Sequence, residues 1–137
     1  MEAISLTEFV DKSNNSPRTK LKIIHASRNG VSRSDLKKFS MRVALPLTKI
    51  SEIVPASYST LAKKSNYDKE VSERLFEIAE VYSKGFEVFG DEKKFTRWLN
   101  KPNVALGGEV PFSLLDTSYG VQLVLNEITR IDYGIFV

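Results

Sequence analysis

From residue 68 to about 89, Val71, Leu75, Ile78, Tyr82 and Phe86 recur at spacings of four, three, four and four. That period places them on one face of a long α-helix. Glu70, Glu73, Glu77 and Glu80 fall mostly on the other side. So long a helix in so short a chain links two halves, or packs against its twin in a homodimer. Gly90-Asp91 ends it, and Asp91 can cap a following helix that carries Phe95, Trp98 and Leu99.

The front of the chain is more finely divided. Ser16 followed by Pro17 reads as an N-cap with a first-turn proline, and Leu21, Ile24 and Val31 mark the apolar positions around a helix that stops at Asn29-Gly30. A second helix opens at Ser32 or Ser34, with Leu36 and Phe39 three apart on one face. The stretch LPLTKISEIVPASYSTLAKK follows. Here Thr48 can cap a short helix that buries Ile50, Ile53 and Val54, and Pro55-Ala56 breaks it. Ser57 can cap a second, burying Leu61 and exposing Tyr58, Ser59, Thr60, Lys63 and Lys64. Two short helices joined by a turn form the helix-turn-helix arrangement. Thr48, Lys49, Ser57, Tyr58, Ser59, Thr60, Lys63 and Lys64 are then the candidate DNA-contacting residues, hydroxyls toward base edges and cations toward phosphates. The turn lacks the usual glycine, and no Gln, Asn or Arg opens the second helix. An ordinary helical hairpin with a solvated lysine pair stays open.

The last third changes character. Pro102-Asn103 terminates the Trp98 helix, and Gly107-Gly108 permits positive φ or a close backbone approach. Pro111 starts a short turn of helix. Thr117 can cap a final helix burying Val121, Val124, Leu125 and Ile128, with Gly120 where a neighbouring backbone can come close. The chain ends IDYGIFV, an apolar tail that must be buried or bound. It either docks on its own last helix or supplies Tyr133 and Phe136 as anchors to a partner.

Composition removes several classes of function. The chain has no cysteine and one histidine, His25, which excludes disulfides, thiolate chemistry and the usual zinc and triad constellations. No metal, cofactor or catalytic residue is expected, and Asp116 beside Thr117 reads as part of a cap rather than as an acid catalyst. No signal peptide and no membrane span is expected, which makes the cytoplasm the default. Charge is divided: residues 1–66 hold 12 Lys/Arg against 5 Asp/Glu (+7), and residues 67–137 hold 8 against 12 (−4). The basic half suits a phosphate backbone, the acidic half a different partner.

Phe89 with Asp91, Trp98-Leu99, Pro102-Asn103, Leu106-Gly107-Gly108, Pro111, Leu114-Leu115, Thr117, Gly120, Val124, Ile128, Arg130-Ile131 and Tyr133-Gly134 stand in an order and spacing that resembles the C-terminal domain of the MbcA/ParS/Xre antitoxins. Upstream, Ser72, Arg74-Leu75 and residues 28–31 fit as well. The resemblance implies an all-α protein: an N-terminal arm (1–16), an Xre-like helix-turn-helix unit (17–66), then the linking helix with a small toxin-binding domain (67–137). It implies an antitoxin of a type II toxin-antitoxin system, not an enzyme. Its partner would be a RES-domain, NAD-consuming toxin whose active site it occludes, and through operator DNA it would repress its own operon. A homodimer inside a larger toxin-antitoxin complex is expected. Toxin contact would fall to Gly107, Gly108, Arg130, Ile131, Tyr133, Gly134, Ile135, Phe136 and Val137. The competing reading is a stand-alone helix-turn-helix regulator whose rear domain only dimerises.

Overall fold

A computed structural model of the chain describes Leu6 and residues 16–134, and these are all-α. Within residues 16–134, seven α-helices and two 3-10 turns follow one another: α1 Pro17–Asn29, α2 Arg33–Val43, α3 Leu47–Ile50, α4 Tyr58–Lys63, α5 Lys69–Phe89, α6 Glu92–Leu99, 3-10 turns at Val104–Leu106 and Pro111–Asp116, then α7 Ser118–Asp132.

Side-chain caps set most of the helix starts. Ser16, Ser32, Ser57, Asp68, Asp91 and Thr117 each accept a hydrogen bond from an amide in the first turn, satisfying donors that the helix leaves unpaired. Gly30 and Gly90 close α1 and α5 at positive φ. The exception is α3. It begins at Leu47 behind Pro46 with no side-chain cap, so Thr48 lies inside the helix. Regular α-helix ends at Ile50, and i→i−3 bonds (Glu52 N to Lys49 O, Ile53 N to Ile50 O) continue the turn to Ile53. Ile50, Ile53 and Val54 are buried as expected.

Helix α5 is the spine. It packs against α1, α2, α6 and α7, and Val71, Leu75, Ile78, Val81 and Tyr82 are buried along it. Tyr82 meets Phe39 of α2 edge-on at 5.9 Å, Phe86 at 5.8 Å and Phe95 of α6 at 5.7 Å, the T-shaped geometry that aromatic quadrupoles favour. Phe89 and Trp98 extend this cluster around Phe95. Trp98 is half-buried against it. One continuous core therefore runs from α2 to α7, and Leu6 is buried in it.

Helix α1 ends at Asn29 as expected, but its apolar positions are not all buried. Leu21 and Ile24 are 54% and 43% exposed. Ser27 is buried, with Ile23 and Ala26 packed against the core. A short helix flanked by one spine buries only a narrow strip, and here that strip runs through positions 23, 26 and 27.

Candidate functional site: two surfaces on one spine

The first surface surrounds α4. The Ser57 hydroxyl accepts from Thr60 N at 3.1 Å, which leaves Tyr58 and Ser59 exposed at the helix start, Thr60 half-buried, and Lys63 and Lys64 exposed at its end. Leu61 anchors the helix inward, and its carbonyl accepts from the buried Tyr67 hydroxyl at 2.6 Å. Burial pushes the Tyr67 phenol above its ordinary range, and nearby Arg33 pulls it partly back. The two α3 candidates sit differently. Thr48 is exposed, and its carbonyl accepts from the Ser51 hydroxyl at 2.7 Å. Lys49 holds its ammonium 5.1 Å above the Phe112 ring and 3.5 Å from Glu52. It ties the front of the molecule to the second 3-10 turn.

The second set of candidates lies in the rear half, on the 103–109 loop and on α7. Residues 103–109 form a closed loop: Asn103 N donates to Glu109 O at 3.0 Å, Gly108 N returns to Asn103 O at 2.9 Å, and the Asn103 side chain accepts from Ala105 N at 2.8 Å. Val104, at the tip, is 91% exposed. Gly107 and Gly108 adopt φ of 69° and 83°, and a Cβ built on either would meet nothing within 4 Å. Of the two roles open to this pair, the structure assigns positive φ, which L residues adopt only with strain. Close approach belongs to Gly120, where a Cβ would fall 1.7 Å from Leu114 O. That contact seats α7 on the Pro111–Asp116 turn.

Once α7 buries Val121, Val124, Leu125 and Ile128, its opposite face is fixed. Tyr119, Leu123, Asn126, Arg130 and Tyr133 follow at spacings of four, three, four and three, and all are exposed. Tyr119 is 90% and Tyr133 76% exposed. Arg130 makes one loose ion pair, 3.8 Å to Glu127. Two residues singled out from the sequence, Arg130 and Tyr133, thus share a stripe with Tyr119 and Leu123, which were missed. The signal was available: both fall on the wheel opposite the buried valines. Ile131 is half-buried beside the stripe and Gly134 is exposed at φ 72°. Ile135, Phe136 and Val137 lie outside the described residues.

Arg74 joins the parts. Its side chain is largely buried, its Nη1 donates to the carbonyls of Ile53 and Asp116, and its Nε meets Glu77 at 2.9 Å. One guanidinium therefore fastens the end of the α3 turn, the spine and the approach to α7. Asp116 contributes its carbonyl here, and the cap of α7 is Thr117. His25 is exposed on α1.

Among the described residues, no group of three or more His, Cys, Asp or Glu could hold a metal ion, and no helix is long and apolar enough to cross a membrane. Comparison with known proteins bears on the rear surface. Residues 84–134 match the family described as the antitoxin Xre/MbcA/ParS C-terminal toxin-binding domain. The chain is similar to the "Antitoxin Xre" of Photorhabdus laumondii, 33% identical over 91 residues, which is 65% of this chain and 62% of that relative. It is also similar to "Antitoxin Xre" of Yersinia enterocolitica, 25% identical over 83% of this chain and 80% of the relative. The protein of that name from Pseudomonas putida is 29% identical over 77% and 68%.

Proposed function

We propose, from the match of residues 84–134 and the likeness to three Xre antitoxins, that this chain is a member of the MbcA/ParS/Xre antitoxin family and the antitoxin of a type II toxin-antitoxin pair. It acts as a regulatory binding protein and not as an enzyme. In this reading the partner is a RES-domain, NAD-consuming toxin, held by the rear surface so that its active-site cleft is covered. The front surface carries DNA binding and repression of the protein's own operon.

The observation that supports this reading best is the stripe on α7. It lies within residues 84–134 and sets two tyrosines, a leucine and an arginine in solvent on one helix face. Aromatic and arginine side chains dominate binding energies at protein interfaces. Segment 131–137, apolar and adjoining the stripe in sequence, suits the cleft-covering role.

Co-expression with the product of the adjacent reading frame tests the proposal. Leu123→Asp and truncation after Asp132 should each leave the helical content intact and break the complex on size exclusion. Loss of one central anchor costs about 2 kcal/mol or more, roughly 30-fold in Kd. Full protection of cells by both variants would refute the toxin-binding role of this face. The competing reading, a regulator that pairs with a second copy through its rear domain, requires instead that Leu123→Asp turn a dimer into a monomer with no adjacent gene product present.

A further inference from the structure

Helix α2 presents Ser34, Lys37, Lys38 and Met41 on its outer face. They border a concave basin whose other walls are Ser32, Arg33 and Ser65. The basin is continuous with the end of α4. Arg33 N donates to Ser65 O at 2.9 Å, and the Arg33 guanidinium donates to the Lys63 carbonyl at 2.5 Å. Arg33, Lys37, Lys38, Lys63 and Lys64 therefore sit on one tied body, and among the described residues no acidic side chain lines the basin. Asp35, on the same helix, is turned inward and buried. None of the five cations forms an ion pair among the described residues.

Resting on the reading that this protein binds DNA, we infer that α2 supplies a phosphate clamp for the duplex: Arg33, Lys37 and Lys38 hold one stretch of backbone, beside the hydroxyl-bearing start of α4 that meets base edges. Concentrated, unneutralised positive charge in a concavity releases counterions when a phosphate backbone enters. Among the described residues the basin carries no aromatic ring on which unstacked bases could lie, and single-stranded nucleic acid is normally held on such platforms. Met41, 83% exposed, is the one large apolar side chain on the rim among the described residues, too little to anchor an acidic peptide. Duplex backbone is the partner that matches.

The test is salt-dependent fluorescence anisotropy of the full chain on a duplex from upstream of its own reading frame. Lys37→Gln/Lys38→Gln is compared with Lys93→Gln/Lys94→Gln, an equal charge change on exposed residues of α6. Two lost phosphate contacts should make the slope of log K against log salt shallower by about 1.8, and lower affinity at 0.1 M salt by some tens of fold. The α6 pair should keep the wild-type slope. If wild type binds and both pairs behave alike, the clamp is wrong while DNA binding stands. If wild type binds no duplex, the DNA reading falls and the clamp with it. Tighter binding to a single strand of the same sequence overturns the choice of partner.

Discussion

Gly85 offers a perturbation whose sign two effects contest. It lies in the interior of α5, where replacing glycine by alanine ordinarily stabilises a helix by about 1 kcal/mol. Here the Cβ of an alanine would stand 2.2 Å from the Phe95 ring. Ordinary contact begins near 3.4 Å, so the ring would have to retreat by about 1.2 Å. It has nowhere to go: Phe95 is fully buried, with Tyr82, Phe86, Phe89 and Trp98 at centroid distances of 5.3 to 5.9 Å. Overpacking of this kind costs about 1–3 kcal/mol and sometimes more. Steric cost outweighs propensity, and Gly85→Ala should destabilise the protein by about 1–2 kcal/mol. For a chain of this length that lowers Tm by roughly 3–8 °C. Thermal unfolding followed by circular dichroism measures it. The cause is separable, because in a Phe95→Leu background the same change should become neutral or stabilising, a coupling of about 2 kcal/mol between the two sites. A Gly85→Ala protein that melts at or above wild type, or equal effects in both backgrounds, would refute the packing argument.

Two further outcomes follow from buried polar groups. Arg74→Met removes the donor from the Ile53 and Asp116 carbonyls together with the Glu77 ion pair, and should cost about 2–3 kcal/mol; an unchanged urea midpoint would show that the guanidinium fastens nothing. Burial raises the Glu80 carboxyl above its ordinary range, Lys20 and Lys84 pull it down, and Glu77 pushes it up. A carboxyl whose folded pKa is raised favours folding while protonated, and that contribution is lost as pH rises through the raised value. Glu80→Gln should therefore be the more stable protein at neutral pH, with its advantage fading below the ordinary carboxylate range. Equal stability differences at pH 4 and pH 7 would contradict this.

The parts legible in the sequence are those governed by local chemistry. A serine, threonine or aspartate just before an apolar period caps a helix because its oxygen reaches an amide two or three residues on. Ser16, Ser57, Asp91 and Thr117 all do so, and of the two alternatives for α2 it is Ser32 that caps. The burial of α5 was legible for a similar reason, since twenty-one residues leave little doubt about which face is apolar. Short helices defeat the same reasoning. Thr48 has the right chemistry for a cap, but Pro46 already fixes the chain entry, and the helix starts ahead of the threonine. Leu21 and Ile24 follow the helical period yet face water, because only a narrow strip of α1 meets the spine. Contacts between distant segments left no local trace. Nothing near Arg74 in sequence announces the carbonyls of Ile53 and Asp116, and nothing near Lys49 announces Phe112. On the rear surface, Tyr119 and Leu123 needed only the complementary half of the helical wheel.

The stretch shared with the toxin-binding family begins at Lys84, five residues before α5 ends at Phe89. The start of the match thus falls inside a helix instead of a linker. A fragment started there would keep Phe86 and Phe89 but lose Tyr82, whose ring closes the aromatic cluster, and Arg74, which grips the approach to α7. Exchanging rear halves between relatives would graft each newcomer onto a spine shaped for another partner, and the graft would hold only where residues 71–82 suit both. Changes on either side are felt along α5, the one helix that elements of both halves press against.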